Sequence, residues 1–173
     1  MNNKFKPLMI VQMCLIAIAV VVEAINIIEG ITKGSGIIEI LSYLFSAFAL
    51  FFGGLYLIFD FKKSVAVFYK LFVIMFALSV GLRTILSYGN VSLIFTLTSV
   101  FSLVDLLALA FVKDLGMEKT SYIYVAFLAC EILTATAMLT TSWVLSLSTL
   151  LLAGTFGLMI TFKYIDKASR DTD

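Results

Sequence analysis

The sequence has no histidine, and its two cysteines, Cys14 and Cys130, stand far apart without a C-x-x-C motif. The absence of imidazole excludes histidine-based acid–base relays and most metal sites. A single cysteine in an apolar segment is usually a packing residue. The glycines that could suggest a phosphate loop, Gly30, Gly34 and Gly36, lie between two apolar runs instead of joining a strand to a helix. We therefore expect no enzymatic activity, no metal site and no cofactor.

Charge is equally scarce. Charged residues make up 13% of the 173 residues, hydrophobic residues make up 62%, and the mean hydropathy is +1.11. So few polar residues cannot cover the surface of a soluble domain. The formal net charge of +1, with no basic patch away from the segment ends, argues against nucleic acid as a partner. The composition predicts an integral membrane protein, with the lipid bilayer as its main partner.

Six apolar runs divide the chain. Each is about 20 residues long, enough to cross the ~30 Å hydrocarbon layer as a helix. The runs are continuously apolar, without the alternation of a barrel strand, and the first is longer than the apolar core of a signal peptide. The fold class is therefore all-α, with one domain over residues 1–173 and six transmembrane helices arranged as three hairpins. The predicted spans are Leu8 to Ile28, Ile37 to Phe59, Val67 to Tyr88, Val91 to Val112, Tyr122 to Thr140 and Trp143 to Phe162.

Basic residues favour one orientation of these spans. With six crossings, Lys33 alone lies in the loops of one side, and the other basic loop and tail residues lie on the opposite side. The positive-inside rule then places both termini in the cytoplasm. The residues on the predicted cytoplasmic side are Lys4, Lys6, Lys62, Lys63, Lys70, Lys113, Lys119, Lys163, Lys167 and Arg170.

A long period is also visible. Phe59, Phe111 and Phe162 end the even-numbered spans and stand 52 and 51 residues apart. This spacing indicates three repeated hairpin units, 8–64, 65–119 and 120–167. The alternative is that six spans with tight turns produce such a spacing without common ancestry.

The first span carries a polar or small stripe. Its members recur at alternating steps of four and three, which places them on one face of a helix. A carboxylate and two amides are costly against lipid, so this face must turn toward other helices or a wet cavity. The stripe consists of Gln12, Ile16, Ala19, Glu23, Asn26 and Gly30.

Small residues line one face of two even-numbered spans. They allow close helix packing, and their hydroxyls can bond across helices or line a polar cavity. Close packing is the favoured interpretation. The faces are Ser42, Ser46, Ala49 and Gly53 on the second span, and Ser142, Ser146, Thr149 and Ala153 on the sixth.

Ionisable residues inside the spans are the strongest functional signal. Glu23 and Arg83 fall at the same depth in the predicted outer third, so an ion pair is allowed. Glu131 near the midplane and Asp105 in the inner third have no obvious cationic partner. We hypothesise a ligand or ion path formed by Glu23, Asn26, Arg83, Asp105 and Glu131.

A structural role is the alternative for each of these residues. Glu23 and Arg83 then form a purely structural ion pair. Asp105 then faces a neighbouring subunit or binds Thr98, Ser102 or a tyrosine. Around the predicted outer loop, Lys33, Glu29 and Glu39 are interpreted as a solvated turn, with a gate as the alternative.

Two function classes follow. The first is a component that binds or transports a small solute or cation, working with transporter partner subunits or as a homo-oligomer. The second is a non-transporting membrane scaffold, stress protein or sensor. In size, six-span layout and lack of a nucleotide site, the chain resembles substrate-binding subunits of energy-coupling-factor transporters, which implies an ATP-hydrolysing partner. Its hairpin layout is similar to a family of acid-stress membrane proteins. The small, loop-poor chain favours a bacterial cytoplasmic membrane.

Overall fold

The computed structural model describes residues 6–60, 67–87, 93–111, 116–139 and 143–170. These residues form six α-helices, and no strand occurs among them. The second helix continues directly into a π-helical turn, Tyr56–Asp60. The helices are α1 (Lys6–Lys33), α2 (Ile37–Leu55), α3 (Val67–Ser87), α4 (Leu93–Phe111), α5 (Met117–Met138) and α6 (Trp143–Arg170).

Five of the helices are long and apolar enough to cross a membrane. In α4 the apolar stretch is shorter, Thr96–Leu109, and the predicted span 91–112 runs past the described residues at both ends. Large apolar side chains point outward from every helix, as lipid contact requires. The predicted all-α, multi-pass membrane fold is confirmed. Examples of the outward side chains are Ile18, Phe51, Ile85, Val104, Ile132 and Trp143.

The helices form a closed ring. Each packs against the next in the sequence, α6 returns to α1, and α2 also contacts α6. The most extensive interface joins α2 to α3, which belong to different predicted hairpin units. The three hairpins are therefore merged into one bundle, and their repeat ancestry stays a prediction.

The turn between α1 and α2 is shorter than predicted. The helix runs through Gly30 and ends at Lys33, so the predicted loop from Gly30 is wrong for its first four residues. Gly34 follows with φ of 70°. Its N–H donates to Ile31 O at 3.3 Å, and the Ser35 N–H donates to Gly30 O at 2.8 Å. This is a Schellman cap, whose left-handed position favours glycine.

The three charged residues near this turn lie on helices. Glu29 and Lys33 lie on the last turns of α1, with Lys33 Nζ 2.7 Å from Glu29 Oε2 in an exposed i,i+4 pair. Glu39 lies in α2 and accepts a hydrogen bond from the Tyr43 hydroxyl at 2.7 Å. The interpretation as a loop is wrong, because all three residues are helical.

At the other end of the bundle, α5 begins at Met117, five residues before the predicted start at Tyr122.

An aromatic cluster fills the half of the bundle away from Gly34. Phe156 on α6 is at its centre and is fully buried. Its ring centroid lies 5.6 Å from that of Phe127 on α5, and 5.9 and 6.2 Å from those of Phe72 and Phe76 on α3. Edge-to-face and stacked pairs of this kind stabilise a core beyond simple burial. The Phe156 cluster consists of Tyr69, Phe72, Phe76, Tyr124, Phe127 and Phe156.

Two glycines allow aromatic rings to approach the helices closely. A Cβ at Gly53 would meet Phe72 Cδ2 at 3.3 Å, so the glycine allows α2 to pack closely against α3. A Cβ at Gly157 would overlap the Tyr124 hydroxyl. That hydroxyl lies across α6 and donates to Ala153 O at 3.2 Å. The glycine at 157 therefore makes room for the bond between α5 and α6.

Candidate functional site

The predicted stripe on α1 lies inside the bundle. Its six members, from Gln12 to Gly30, are all buried, and Gln12 and Glu23 have no exposed surface. The flanking Val21 and Ile25 are exposed instead. The prediction that this face turns away from lipid is confirmed.

The small faces of α2 and α6 point into the same interior. Ser42, Ser46, Ala49 and Gly53 are buried on α2. On α6, Ser146, Thr149 and Ala153 are buried, whereas Ser142 lies outside the described residues. Their hydroxyls lie in the half of the bundle near Gly34, opposite the Phe156 cluster.

Glu23 is held by Ser148, Asn26 and Arg83, with Ser46 as a further hydrogen-bond partner. Its Oε1 accepts a hydrogen bond from the Ser148 hydroxyl of α6. Its Oε2 accepts one from Asn26 Nδ2, one turn along α1, at 3.4 Å. Arg83 Nη2 of α3 lies 3.7 Å from Oε1. The predicted ion pair between α1 and α3 therefore exists, at a separation longer than a direct hydrogen bond.

Arg83 is bound chiefly by hydroxyl groups. Nη1 donates to Thr149 Oγ1 and Nη2 donates to Ser46 Oγ, both at 2.9 Å. Nη2 also reaches Ser148 Oγ at 3.5 Å. Nε is buried and has no hydrogen-bond partner in the described part of the chain. We call the set Glu23, Asn26, Ser46, Arg83, Ser148 and Thr149 the Arg83 cluster.

A second layer of hydroxyls fixes the position of Ser46. The Ser46 and Ser79 hydroxyls are 2.6 Å apart. The Ser42 carbonyl oxygen lies 3.1 Å from the Ser46 hydroxyl and 2.9 Å from that of Ser79, so the two hydroxyl protons are shared among these three contacts. These bonds join α2 to α3 one turn from Arg83, and so hold the acceptor that the guanidinium uses.

Glu131 lies beyond Arg83 on the α4–α5 side. It is buried, with 2% of its surface exposed, and it accepts a hydrogen bond from the Ser102 hydroxyl. Thr98 and Thr134 pair their hydroxyls across the same helices at 3.2 Å. Glu131 is thus a second buried carboxylate of the interior, beside the Glu23 that pairs with Arg83.

Asp105 is set apart from the other four predicted site residues. It is half-buried on α4, beside the exposed Val104, and it makes no hydrogen bond or ion pair with any described residue. The expected bonds to Thr98 or Ser102 are not formed, because those hydroxyls bind Thr134 and Glu131 instead.

Gln12 is the other unusual polar residue. Its side chain is fully buried, and neither amide atom has a hydrogen-bond partner within the described ranges. A buried amide without a partner costs stability. It lies eleven residues before Glu23 on the same stripe, in the half of the bundle that holds the Phe156 cluster.

Sequence reasoning missed two members of this network, Ser79 and Ser148. Ser79 stands four residues before Arg83 and three after Phe76, so helical spacing from Arg83 could have found it. Ser148 is adjacent to Thr149, at the edge of the predicted small face, and no pattern in the sequence singles it out.

Comparison of the chain with family models, with curated proteins and with solved structures gives no match. Among the described residues, no group of three or more aspartate, glutamate or cysteine side chains is arranged to hold a metal ion. The Arg83 cluster therefore has to be interpreted from its own chemistry. It offers one cation, one anion and several hydroxyls that can donate or accept, a set suited to binding polar groups.

Proposed function

We propose that this protein is a membrane-embedded component that binds a small solute or ion for transport, with the Arg83 cluster as its site. The observation that supports this most is the arrangement of two buried opposite charges that are hydrogen-bonded mainly to hydroxyls and not to each other. Polar and ionisable groups inside a membrane bundle are expensive and commonly mark substrate or ion pathways.

The hydroxyl shell distinguishes this site from a simple structural ion pair. A structural arginine–carboxylate pair usually forms two parallel hydrogen bonds. Here Ser148 and Asn26 bind the carboxylate, whereas Ser46 and Thr149 bind the guanidinium. The two ions thus share a shell of hydroxyls, and a solute can replace these weak partners without separating a tight pair.

The position of the cluster supports a site open toward one side only. The hydroxyls and charges occupy the half near Gly34, and the Phe156 cluster packs the other half. On this proposal a solute enters from the Gly34 end, which the basic residues predict to be extracellular. The predicted bacterial cytoplasmic membrane, the partner subunits and the energy source belong to the same proposal.

A scaffold or sensor function remains the second candidate, and Asp105 favours it. A half-buried carboxylate beside exposed Phe101 and Val104 is unfavourable against lipid. A neighbouring helix with a hydrogen-bond donor would cover it. In that case the outer face of α4 is the functional surface, and the Arg83 cluster serves stability.

Native mass spectrometry of the gently extracted protein tests the two functions. A retained small molecule, or a stoichiometric ATPase subunit, is expected if the protein is a transport component. The matched control is the double variant E23Q/R83Q, which removes both charges together and should lose the small molecule. A bare homo-oligomer, or a complex with an unrelated membrane protein that depends on Asp105, would favour the scaffold.

A further inference from the structure

The Nε–Nη2 edge of the Arg83 guanidinium, which the Glu23 carboxylate does not occupy, limits the chemical class of the solute. An arginine binds a carboxylate best through two adjacent N–H groups. The Nε–Nη2 edge of Arg83 is such a pair. Nε is buried without a partner among the described residues, whereas Nη2 donates to the Ser46 hydroxyl and reaches that of Ser148. Glu23 does not occupy this edge, because its nearest oxygen stays 3.7 Å from Nη2. Arg83 therefore retains one unpaired N–H on this edge, and an anionic partner becomes bidentate by replacing the Ser46 and Ser148 hydroxyls at Nη2.

The charge balance of the cluster argues against a ligand with a single charge, whether an anion or a cation. Within the Arg83 cluster, Glu23 is fully buried and Arg83 is 7% exposed, so the one negative and one positive charge of the cluster compensate each other. An added anion or cation would leave one charge of the site unbalanced, which is costly at low dielectric. A molecule that carries both charges keeps the sum unchanged.

We propose that the Arg83 cluster binds a small zwitterion with one carboxylate and one ammonium group, an inference that rests on the proposed function. The carboxylate lies on the Nε–Nη2 edge of Arg83. The ammonium lies at the Glu23 carboxylate, where Asn26 offers an additional acceptor through its amide oxygen. The hydroxyls of Ser46, Ser148 and Thr149 rotate to donate to the ligand carboxylate in place of their present bonds.

The cluster also has the right polar residues for both ends of such a ligand. Ser148 is within hydrogen-bond distance of both Glu23 and Arg83, so it marks the position between the two charged ends. Thr149 and Ser46 flank the guanidinium from α6 and α2. The helices that would enclose the ligand are therefore α1, α2, α3 and α6.

Thermal unfolding of the purified protein in nanodiscs, with matched ligands, tests this inference. The zwitterions are glycine, alanine and γ-aminobutyrate, and the single-charge controls are ethylamine and propionate. We expect saturable stabilisation by at least one zwitterion, with an apparent affinity about tenfold or more above that of either control, a difference of about 1.4 kcal/mol.

Two variants separate binding from folding. R83K keeps the buried charges balanced but removes the planar two-donor edge, so it should fold and lose the zwitterion effect. E29Q, in the exposed pair with Lys33, should bind as the parent protein does. Equal stabilisation by ethylamine or propionate would overturn the zwitterion while leaving solute binding intact. No shift with any of the three zwitterions would also overturn it, and the retained molecule in native mass spectrometry then decides the proposed function separately.

Discussion

The carboxylate of Glu23 and the guanidinium of Arg83 are linked through a hydroxyl, that of Ser148. The charged atoms lie 3.7 Å apart. Ser148 donates to the carboxylate and lies 3.5 Å from Arg83 Nη2. An ion pair bridged in this way couples α1, α3 and α6 at one end of the ring. The stability of the bundle and its proposed binding site therefore depend on the same three side chains.

Removal of one charge from this pair should be far more harmful than removal of both. R83Q leaves Glu23 buried without its cation, and we expect a loss of about 3–5 kcal/mol in the free energy of unfolding. E23Q/R83Q should recover most of that loss. Reversible unfolding in mixed micelles measures both. A double variant as unstable as R83Q would show that the hydroxyl bonds of Arg83, and not its charge, maintain the bundle.

The exposed pair of Glu29 and Lys33 is the internal control for this result. Its atoms are closer, at 2.7 Å, but the side chains are 40% and 71% exposed. K33Q should cost no more than about 0.5 kcal/mol, as measured for exposed i,i+4 pairs. A loss comparable to that of R83Q would contradict the assignment of the effect to burial.

Gly157 and Gly154 should respond in opposite ways to alanine. A Cβ at 157 overlaps the Tyr124 hydroxyl, whereas one at 154 meets no atom within 4 Å. G157A should lower stability by about 1–3 kcal/mol, because Tyr124 must move off α6. G154A should be neutral or stabilise by up to about 1 kcal/mol through helix propensity. Equal melting temperatures for the two variants would refute the close contact between α5 and α6.

Phe156 should be the most sensitive aromatic residue. It packs against five rings and is fully buried, so F156A should cost about 3–5 kcal/mol. F51A is the matched control, since Phe51 is 58% exposed and lipid can replace its contacts. Thermal melts in the same detergent compare them, and similar losses would argue against a packed aromatic half.

Replacement of Gln12 by an apolar residue should raise the free energy of unfolding. Q12M keeps the length of the side chain and removes two buried polar atoms that have no described partner. The expected gain is roughly 1–3 kcal/mol in the free energy of unfolding. Asn26 is the contrast, because its amide donates to Glu23 and N26L should destabilise. A less stable Q12M would mean that the amide has a partner in the native bundle.

Much of this arrangement could be predicted from the sequence. The periodic spacing of Gln12, Glu23 and Asn26 identified the buried face of α1. Counting depth from the ends of the spans placed Glu23 and Arg83 at the same depth, which allowed the ion pair that the structure contains. Both inferences work because a transmembrane helix has a fixed rise and period and cannot turn polar groups toward lipid.

Other features depend on how the helices rotate against each other. The Ser102 hydroxyl binds Glu131 and not Asp105, and no spacing within α4 alone decides between the two acceptors. Ser148, adjacent to the predicted face of α6, reaches Glu23 only because α6 closes the ring on α1. The helical end of α1 was missed because Gly30 and Gly34 look alike in sequence, although only Gly34 has the left-handed conformation.

Access of water to the Arg83 cluster is the most direct test of its role as a binding site. In a background with Cys14 and Cys130 changed to alanine, S148C probes the cluster and A153C probes α6 about 1.4 turns deeper, about 7.5 Å along the axis. Membrane-impermeant thiol reagents applied to the Gly34 side should label S148C and leave A153C unmodified. If neither cysteine reacts, or both react at the same rate, the cluster is a closed structural ion pair and the proposed site is wrong.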